Sequence, residues 1–210
     1  MSNQSSTIRV LIVDDHSIVR QGLATIVNRD PEMTAIAQAE DGQQAIEFFR
    51  QHQPDVTLMD LRMPQMGGVE AIAAICAEFK SARIIVLTTY DGDEDIYRGL
   101  HAGAQGYLLK DAKPNELLQA IRTVHRGQQY IPPEVGAKLV QRMSNPELSE
   151  RELEVLHSMA QGMSNQDIGA ALSIGESTVK SHVNRILSKL GVSDRTSAVI
   201  VAIKRGIVNL

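Results

Sequence analysis

Five side chains with catalytic or metal-binding chemistry stand at the ends of short apolar runs in the first half of the sequence. Asp14 and Asp15 follow the first run, Asp60 follows the third, Thr88 ends the fourth and Lys110 follows the fifth. Runs that are apolar throughout are typical of parallel strands buried on both faces. Because the carboxyl ends of parallel strands face the same way, we expect these five side chains to converge on one crevice.

The chemistry of such a cluster depends on how its negative charge is balanced. Three neighbouring carboxylates repel one another, so an ionised cluster needs compensating positive charge. Lys110 supplies one cation, and Mg2+, which prefers oxygen ligands, is a suitable second one. Asp60 could then attack phosphorus in line while Thr88 donates a hydrogen bond to a phosphoryl oxygen. The pattern therefore predicts phosphoryl transfer at this crevice.

The elements that must position these residues form a regular alternation. The predicted strands cover residues 10–13, 34–37, 56–59, 84–87 and 107–109. The predicted helices cover residues 17–28, 42–53, 69–79, 95–102 and 115–126. Five strand–helix units in succession predict a doubly wound α/β domain, with a parallel sheet and helices on both of its faces.

The remainder of the chain predicts a linker and a helical domain. Residues 127–146 are rich in proline and glycine and contain one short helical pattern at 134–143. Four helices are predicted after them, at about 150–161, 165–172, 176–190 and 194–205. Ser149 and Ser164 open capping-box patterns, and Gly162 and Gly191 are candidate helix stops. We place the domains at residues 1–126 and 147–210, with the linker at 127–146.

Residues 161–191 predict a helix, a turn and a second, longer helix, with Gly175 near the tightest point of the turn. The second helix buries an apolar stripe, which leaves a polar face that carries Thr178, Lys180, Ser181, His182, Asn184, Arg185 and Lys189. Cations for phosphates and polar groups for base edges are what a helix in the DNA major groove requires. The alternative is a helical domain with a solvated polar face.

Charge and composition favour two modules with different partners. Residues 1–128 carry 12 basic and 17 acidic side chains, a net charge of −5, whereas residues 160–210 carry 6 and 3, a net charge of +3. Cys76, the single cysteine, excludes an internal disulfide and a thiolate zinc site. The N-terminus lacks a signal peptide and no apolar run is long enough to span a bilayer, so we expect a cytoplasmic protein that does not contact membranes.

The first half resembles the receiver domain of two-component response regulators. The matching segments are IVDDH, DLRMPQMGG, VLTTYD and GYLLKD. The resemblance implies a flavodoxin-like sheet in the order 2-1-3-4-5, with Asp60 as the phosphoacceptor and a sensor histidine kinase as partner. It implies metal ligands from Asp15, Asp60 and the Arg62 backbone carbonyl, with Asp14 acting through water. Thr88 and Tyr107 would form a switch pair, and their rearrangement would repack the loop at 90–95.

The last third resembles the LuxR/NarL/FixJ type of helix-turn-helix domain. The matching segments are LSERELEVL, GMSNQDIGAAL and IGESTVKSHVNRILSKLGVSDR. The resemblance implies a small all-α domain of four helices that binds double-stranded DNA. Lys180, Ser181 and Asn184 would face base edges, and Thr178, Arg185 and Lys189 would contact phosphates. The last helix would form a homodimer through residues such as Val199 and Ile203 once Asp60 is phosphorylated.

Two other functions are compatible with an acidic site on this type of fold. A phosphatase could use an aspartate nucleophile beside Mg2+, but the acidic pair follows the first strand while the nucleophile follows the third, and no large cap domain encloses a substrate. A flavin-binding protein is disfavoured because Asp14 and Asp15 would repel a phosphate at the first loop. Sustained turnover of a phosphoester would favour the phosphatase over a regulator.

Overall fold

The computed structural model describes residues 7–89, 93–143, 148–205 and 207–208. The chain divides into two compact units, Met1–Leu139 and Val140–Leu210. Within the described ranges, no helix has the length and apolar character needed to cross a membrane.

The first unit is built on a five-stranded parallel sheet. Its strands are β1 (Ile8–Val13), β2 (Met33–Ala39), β3 (Val56–Met59), β4 (Ile84–Thr88) and β5 (Gly106–Leu109). The strand order is β2-β1-β3-β4-β5, so the predicted order 2-1-3-4-5 is confirmed. The central strands are buried throughout, which explains why their sequences are apolar at every position instead of alternating.

Five helices cover the two faces of this sheet. They are α1 (Ser17–Asn28), α2 (Gly42–His52), α3 (Gly68–Glu78), α4 (Asp93–His101) and α5 (Pro114–His125). Apolar side chains of α2, α3 and α4 form a core on one face, and those of α1 and α5 form a separate core on the other. The predicted doubly wound α/β arrangement is therefore confirmed.

The segment after α5 packs against the sheet edge. Tyr130 forms an isolated bridge with Gly106 of β5, and helix α6 (Pro133–Met143) begins three residues later. Val135 in α6 is buried in the same core as α2, α3 and α4. Part of the region predicted as a linker, residues 127–139, thus belongs to the first compact unit.

The second unit contains helices α7 (Glu150–Ala160), α8 (Asn165–Leu172), α9 (Glu176–Leu190) and α10 (Arg195–Lys204). Its core draws on all four helices, including Leu156, Ile168, Val179, Ile186 and Ala202. The capping boxes opened by Ser149 and Ser164 are both present, and Gly162 and Gly191 follow their helices with positive φ. These local predictions are confirmed.

The turn between α8 and α9 differs from the prediction. The left-handed residue is Ser173, with φ of 56°, whereas Gly175 has an extended backbone and precedes α9 as its N-cap. The glycine on which the turn depends is Gly169 in α8, where a Cβ atom would lie 2.8 Å from the carbonyl oxygen of Ile174. The prediction that Gly175 sits at the tightest point of the turn was wrong. The closest approach of backbone atoms is at Gly169, where a side chain would not fit.

Candidate acidic site and nucleic-acid interface

The sheet itself fixes the backbone of the acidic site. The amide of Asp14 donates to Ala39 at 3.1 Å, that of Asp60 to Val13 at 2.9 Å, and that of Lys110 to Thr88 at 2.9 Å. Each of these residues follows the last residue of its strand and extends the ladder by one hydrogen bond. The parallel sheet therefore delivers Asp14, Asp60 and Lys110 to one edge, as expected for strand carboxyl ends.

Lys110 joins two buried carboxylates. Its Nζ lies 2.6 Å from Asp14 Oδ2 and 2.6 Å from Asp60 Oδ2. Asp14 is 1% exposed and Asp60 is 4% exposed. Two charged carboxylates at such depth require a partner, because an unpaired buried charge is strongly destabilising. Lys110 is placed to supply that charge to both.

The pKa shifts show competing burial and charge effects. Burial raises the pKa of the Asp60 carboxyl and Asp14 adds to this, while Lys110 opposes it, so the pKa lies above its ordinary value. Burial lowers the pKa of Lys110, but hydrogen bonds and charges from Asp14 and Asp60 outweigh it and raise that pKa. Lys110 consequently stays protonated at neutral pH.

The same carboxylates belong to a cluster of groups that could hold a metal ion. One ligand atom each from Asp14, Asp15, His16 and Asp60 lies within 4.8 Å of the others. Lys110 contacts the Oδ2 atoms of Asp14 and Asp60. Three carboxylates in this arrangement fit a hard divalent cation such as Mg2+. Sequence reasoning did not single out His16, whose only signal was its position after the acidic pair.

The loop after β3 is held tightly below Asp60. A Cβ atom on Gly68 would lie 2.0 Å from the Asp60 carbonyl oxygen, so only glycine fits at the start of α3. The amide of Arg62 points to Asp60 Oδ1 at 3.4 Å, and its guanidinium pairs with Asp95 at 3.0 Å. The side chain of Arg62 thereby ties the β3 loop to α4.

The predicted switch residues lie on the neighbouring strands β4 and β5, and Thr88 stands at the carboxyl end that carries the site. Thr88 is the last residue of β4, and Tyr107 is the second residue of β5; neither has exposed surface. Tyr107 belongs to the core cluster that includes Val86, Ile96 and Val135. In the loop predicted to repack, residues 90–92, Tyr90 among them, lie outside the described residues, and Asp95 belongs to α4.

Helix α9 presents most of the predicted DNA-contacting residues on its surface. The exposed ones are Thr178, Lys180, Ser181, Asn184 and Arg185. Lys180 Nζ lies 2.8 Å from Glu176 Oε1, one helical turn earlier, and Ser181 Oγ donates to the Ser177 carbonyl at 3.1 Å. An exposed pair of this kind is weak, so Lys180 can exchange Glu176 for another anion.

Lys189 differs from the other residues predicted to contact DNA. Its Nζ lies 2.7 Å from Oε2 of Glu152 in α7, and Glu152 is 3% exposed. Burial raises the pKa of Glu152, but bonds from Lys189 and Ser149 outweigh it and lower that pKa. The structure thus places Lys189 in an ion pair inside the domain, away from the predicted role in phosphate contact.

Helix α10 carries exposed apolar side chains. Ile200 is 48% exposed and Ile203 is 37% exposed, whereas Val199 is half-buried against the core of its own domain. Of the two residues predicted for dimerisation, Ile203 therefore offers the more accessible surface. Ile200 was missed, although its spacing of three from Ile203 places both on one face of a helix.

Comparisons with known proteins agree with this two-part architecture. Residues 10–122 match the response regulator receiver domain, and residues 146–202 match the luxR family of bacterial regulatory proteins. The chain belongs to the LuxR-type response regulators. The transcriptional regulatory protein LiaR of Bacillus subtilis (strain 168) is 41% identical to this response regulator over 210 residues, with 96% of this chain and 100% of that protein covered. The uncharacterized transcriptional regulatory protein YxjL of the same organism is 43% identical over 212 residues, with 96% and 97% covered.

The chain also resembles a solved structure of a DNA-bound response regulator. RcsB from Salmonella enterica serovar Typhimurium, bound to a promoter in the presence of the phosphomimetic BeF3−, matches with a TM-score of 0.78 and 26% identity. The match covers 95% of this response regulator and 99% of that chain. Together with the two family matches, these relatives show that this response regulator is a transcription regulator of a two-component system.

Proposed function

We propose that this response regulator is switched by transfer of one phosphoryl group to Asp60. The observation that carries the proposal is the buried arrangement in which Lys110 lies 2.6 Å from both Asp60 and Asp14. It provides a nucleophile, a fixed cation and a carboxylate cluster suited to Mg2+ at one edge of the sheet.

The transfer forms one bond and breaks one bond. A carboxylate oxygen of Asp60 attacks phosphorus, the bond between phosphorus and the donor breaks, and the donor keeps the electron pair. The donor is the phosphohistidine of a cognate sensor histidine kinase, so a P–N bond is replaced by an acyl phosphate. Lys110 balances charge on the phosphoryl oxygens while Thr88 donates a hydrogen bond to one of them.

The metal ligands proposed are Asp15, Asp60 and the Arg62 backbone carbonyl, with Asp14 acting through water. Mg2+ held by these residues would neutralise charge on the phosphoryl oxygens. Phosphorylation then adds about 1.5–2 negative charges beside Thr88. Thr88 turns toward the phosphoryl group, and this stabilises Tyr107 in its inward position.

The first experiment is intact mass spectrometry of the full chain with Mg2+ and acetyl phosphate. We expect one added phosphoryl group in the wild type and none in Asp60→Asn. Asp111→Asn is the matched control, since Asp111 is an exposed carboxylate next to Lys110. Equal phosphorylation of wild type and Asp60→Asn would disprove the assignment of Asp60.

The phosphorylated protein is proposed to bind double-stranded DNA as a homodimer. Lys180, Ser181 and Asn184 face base edges, and Thr178 and Arg185 contact phosphates. The exposed position of these side chains on α9 supports this, as does the RcsB–promoter complex. Ile203 and Ile200 of α10 supply apolar surface for the dimer, with Val199 behind them. Light scattering with and without acetyl phosphate tests this, and Ile203→Asp should remain monomeric.

We propose that each chain accepts one phosphoryl group and does not turn over a substrate, so that the protein is a switch and not an enzyme. We also propose that it acts in the cytoplasm. The receiver family match supports this choice. Incubation with an aryl phosphate distinguishes the alternatives, because a phosphatase would release many equivalents of phenol per chain. A switch would release about one equivalent of phenol per chain, followed only by the slow release that accompanies hydrolysis of the phosphorylated aspartate.

A further inference from the structure

Residues 130–139, here called the clasp, are joined directly to the strand that carries Tyr107. The amide of Tyr107 donates to the Tyr130 carbonyl at 2.9 Å, and the amide of Tyr130 donates to the Gln105 carbonyl at 3.0 Å. The two bonds flank Gly106 and add the clasp to the edge of β5. The Tyr107 backbone therefore cannot shift relative to the clasp without straining or breaking this bond.

The clasp also packs on both sides of the sheet edge. Tyr130 packs with Leu108 and the side chains of α5 on one face. Val135, which is 1% exposed, lies on the other face in the same core cluster as Tyr107, where Ile131 and Leu139 pack against it. Because protein cores are close-packed, a change in the volume or position of one side chain is transmitted to its neighbours.

The path of the clasp between these contacts is stiff. Pro132 and Pro133 have restricted φ and donate no backbone hydrogen bonds, so the segment loses little entropy when it docks. The first turn of α6 then closes with a bond of 2.9 Å from the Gly136 amide to the Pro132 carbonyl. Tyr130 and Val135 are thereby linked through a short, preformed connection.

We propose that the clasp holds Tyr107 in its buried position, so that docking of the clasp and phosphorylation of Asp60 favour each other. The inference rests on the proposed function and identifies a regulatory element for the same site. Tyr130 and Val135 are positioning residues, since they act on the site through Tyr107. Coupling of this kind is reciprocal. A change that stabilises the docked clasp must strengthen phosphoryl binding, and phosphoryl binding must stabilise the docked clasp.

The first test is hydrogen exchange of the full chain with and without Mg2+ and BeF3−, followed by mass spectrometry. We expect BeF3− to slow exchange of the Tyr107 and Tyr130 amides by about tenfold, in addition to protecting the loop after Asp60. Protection near Asp60 without a change at Tyr107 and Tyr130 would overturn the clasp proposal alone. A lack of protection near Asp60 would instead count against the proposed function.

The second test separates coupling from simple stabilisation. Val135→Ala should weaken the apparent affinity for BeF3− by about fivefold. Val27→Ala is the matched control, because Val27 is an equally buried valine in the core on the opposite face, away from Tyr107. It should leave the affinity within about twofold of wild type.

Two further variants complete this design. Val135→Ile, which retains a β-branched apolar side chain, should bind BeF3− more tightly than Val135→Ala does. At BeF3− concentrations that fully protect the loop after Asp60, Thr88→Ala should lose the protection of Tyr130, since Thr88 is the proposed connection to Tyr107. Equal losses of affinity in Val135→Ala and Val27→Ala would show that the clasp only stabilises the domain, and would overturn the proposal.

Discussion

At the scale of single residues, the charge on Lys110 keeps two buried carboxylates in place. Replacing Lys110 with Met should destabilise the receiver domain by about 3 kcal/mol, because Asp14 and Asp60 would lose their shared cation. Adding Asp60→Asn to that variant should recover most of the loss, since one of the two negative charges is then removed. Urea denaturation in Mg2+-free buffer measures both effects. Equal stability of Lys110→Met and wild type would mean that the two ion pairs of Lys110 contribute nothing to the free energy of unfolding.

The candidate functional residues of the two domains differ in how readily the sequence predicts them. Asp14, Asp60 and Lys110 were predictable because each follows an apolar run, and the carboxyl ends of parallel strands meet. The pairing of Lys189 with Glu152 was not, since periodicity alone places Lys189 on the polar face of α9 and gives no information about what α7 brings beside it. Side-chain partners from other elements depend on tertiary packing, which one-dimensional patterns do not contain.

At the scale of secondary-structure elements, the start of α3 packs so closely against the end of β3 that only glycine fits at position 68. Gly68→Ala should destabilise the receiver domain by about 2 kcal/mol or more, because its Cβ would lie 2.0 Å from the Asp60 carbonyl oxygen. It should also slow phosphorylation, since Asp60 must shift. Gly22→Ala in α1 is the control: apart from its chain neighbours and the backbone of its own helix, no atom would lie within 4 Å of the new Cβ, and it should stabilise by about 0.5–1 kcal/mol. Thermal unfolding and phosphorylation by acetyl phosphate check both variants, and similar values would refute the close contact.

The contact between α7 and α9 makes the second domain sensitive to acid. The pKa of Glu152 is lowered by folding, so its stabilising effect is complete above the unfolded pKa, about 4.3. It is lost as the pH falls through the lower folded value. Glu152→Gln should cost about 2 kcal/mol at neutral pH and flatten the acid dependence, which hydrogen exchange in α7 and α9 can follow. An unchanged acid profile would contradict this assignment.

Element boundaries show what sequence patterns capture and what they miss. Helices α7 to α10 were predicted closely because Ser149, Ser164 and Gly191 mark their ends with local chemistry. The docking of residues 130–139 was missed, because proline and glycine in that stretch are equally typical of a free linker. Its attachment depends on a long-range bond between Tyr107 and Tyr130, which no local pattern reveals.

At the scale of the whole molecule, the two units differ in charge, and this sets how DNA binding should respond to salt. The first 128 residues carry a net charge of −5, so attraction to DNA must come from the few cations of the second unit. Each phosphate contact that is lost lowers the slope of log affinity against log salt concentration by about one, so Arg185→Ala should lower it by about two in a dimer.

Fluorescence anisotropy with a duplex of arbitrary sequence at several salt concentrations measures this slope. Lys113→Ala, which removes an exposed cation from the acidic unit, should leave the slope unchanged. If both variants lower the slope equally, the basic face of α9 is not the surface that meets the phosphates.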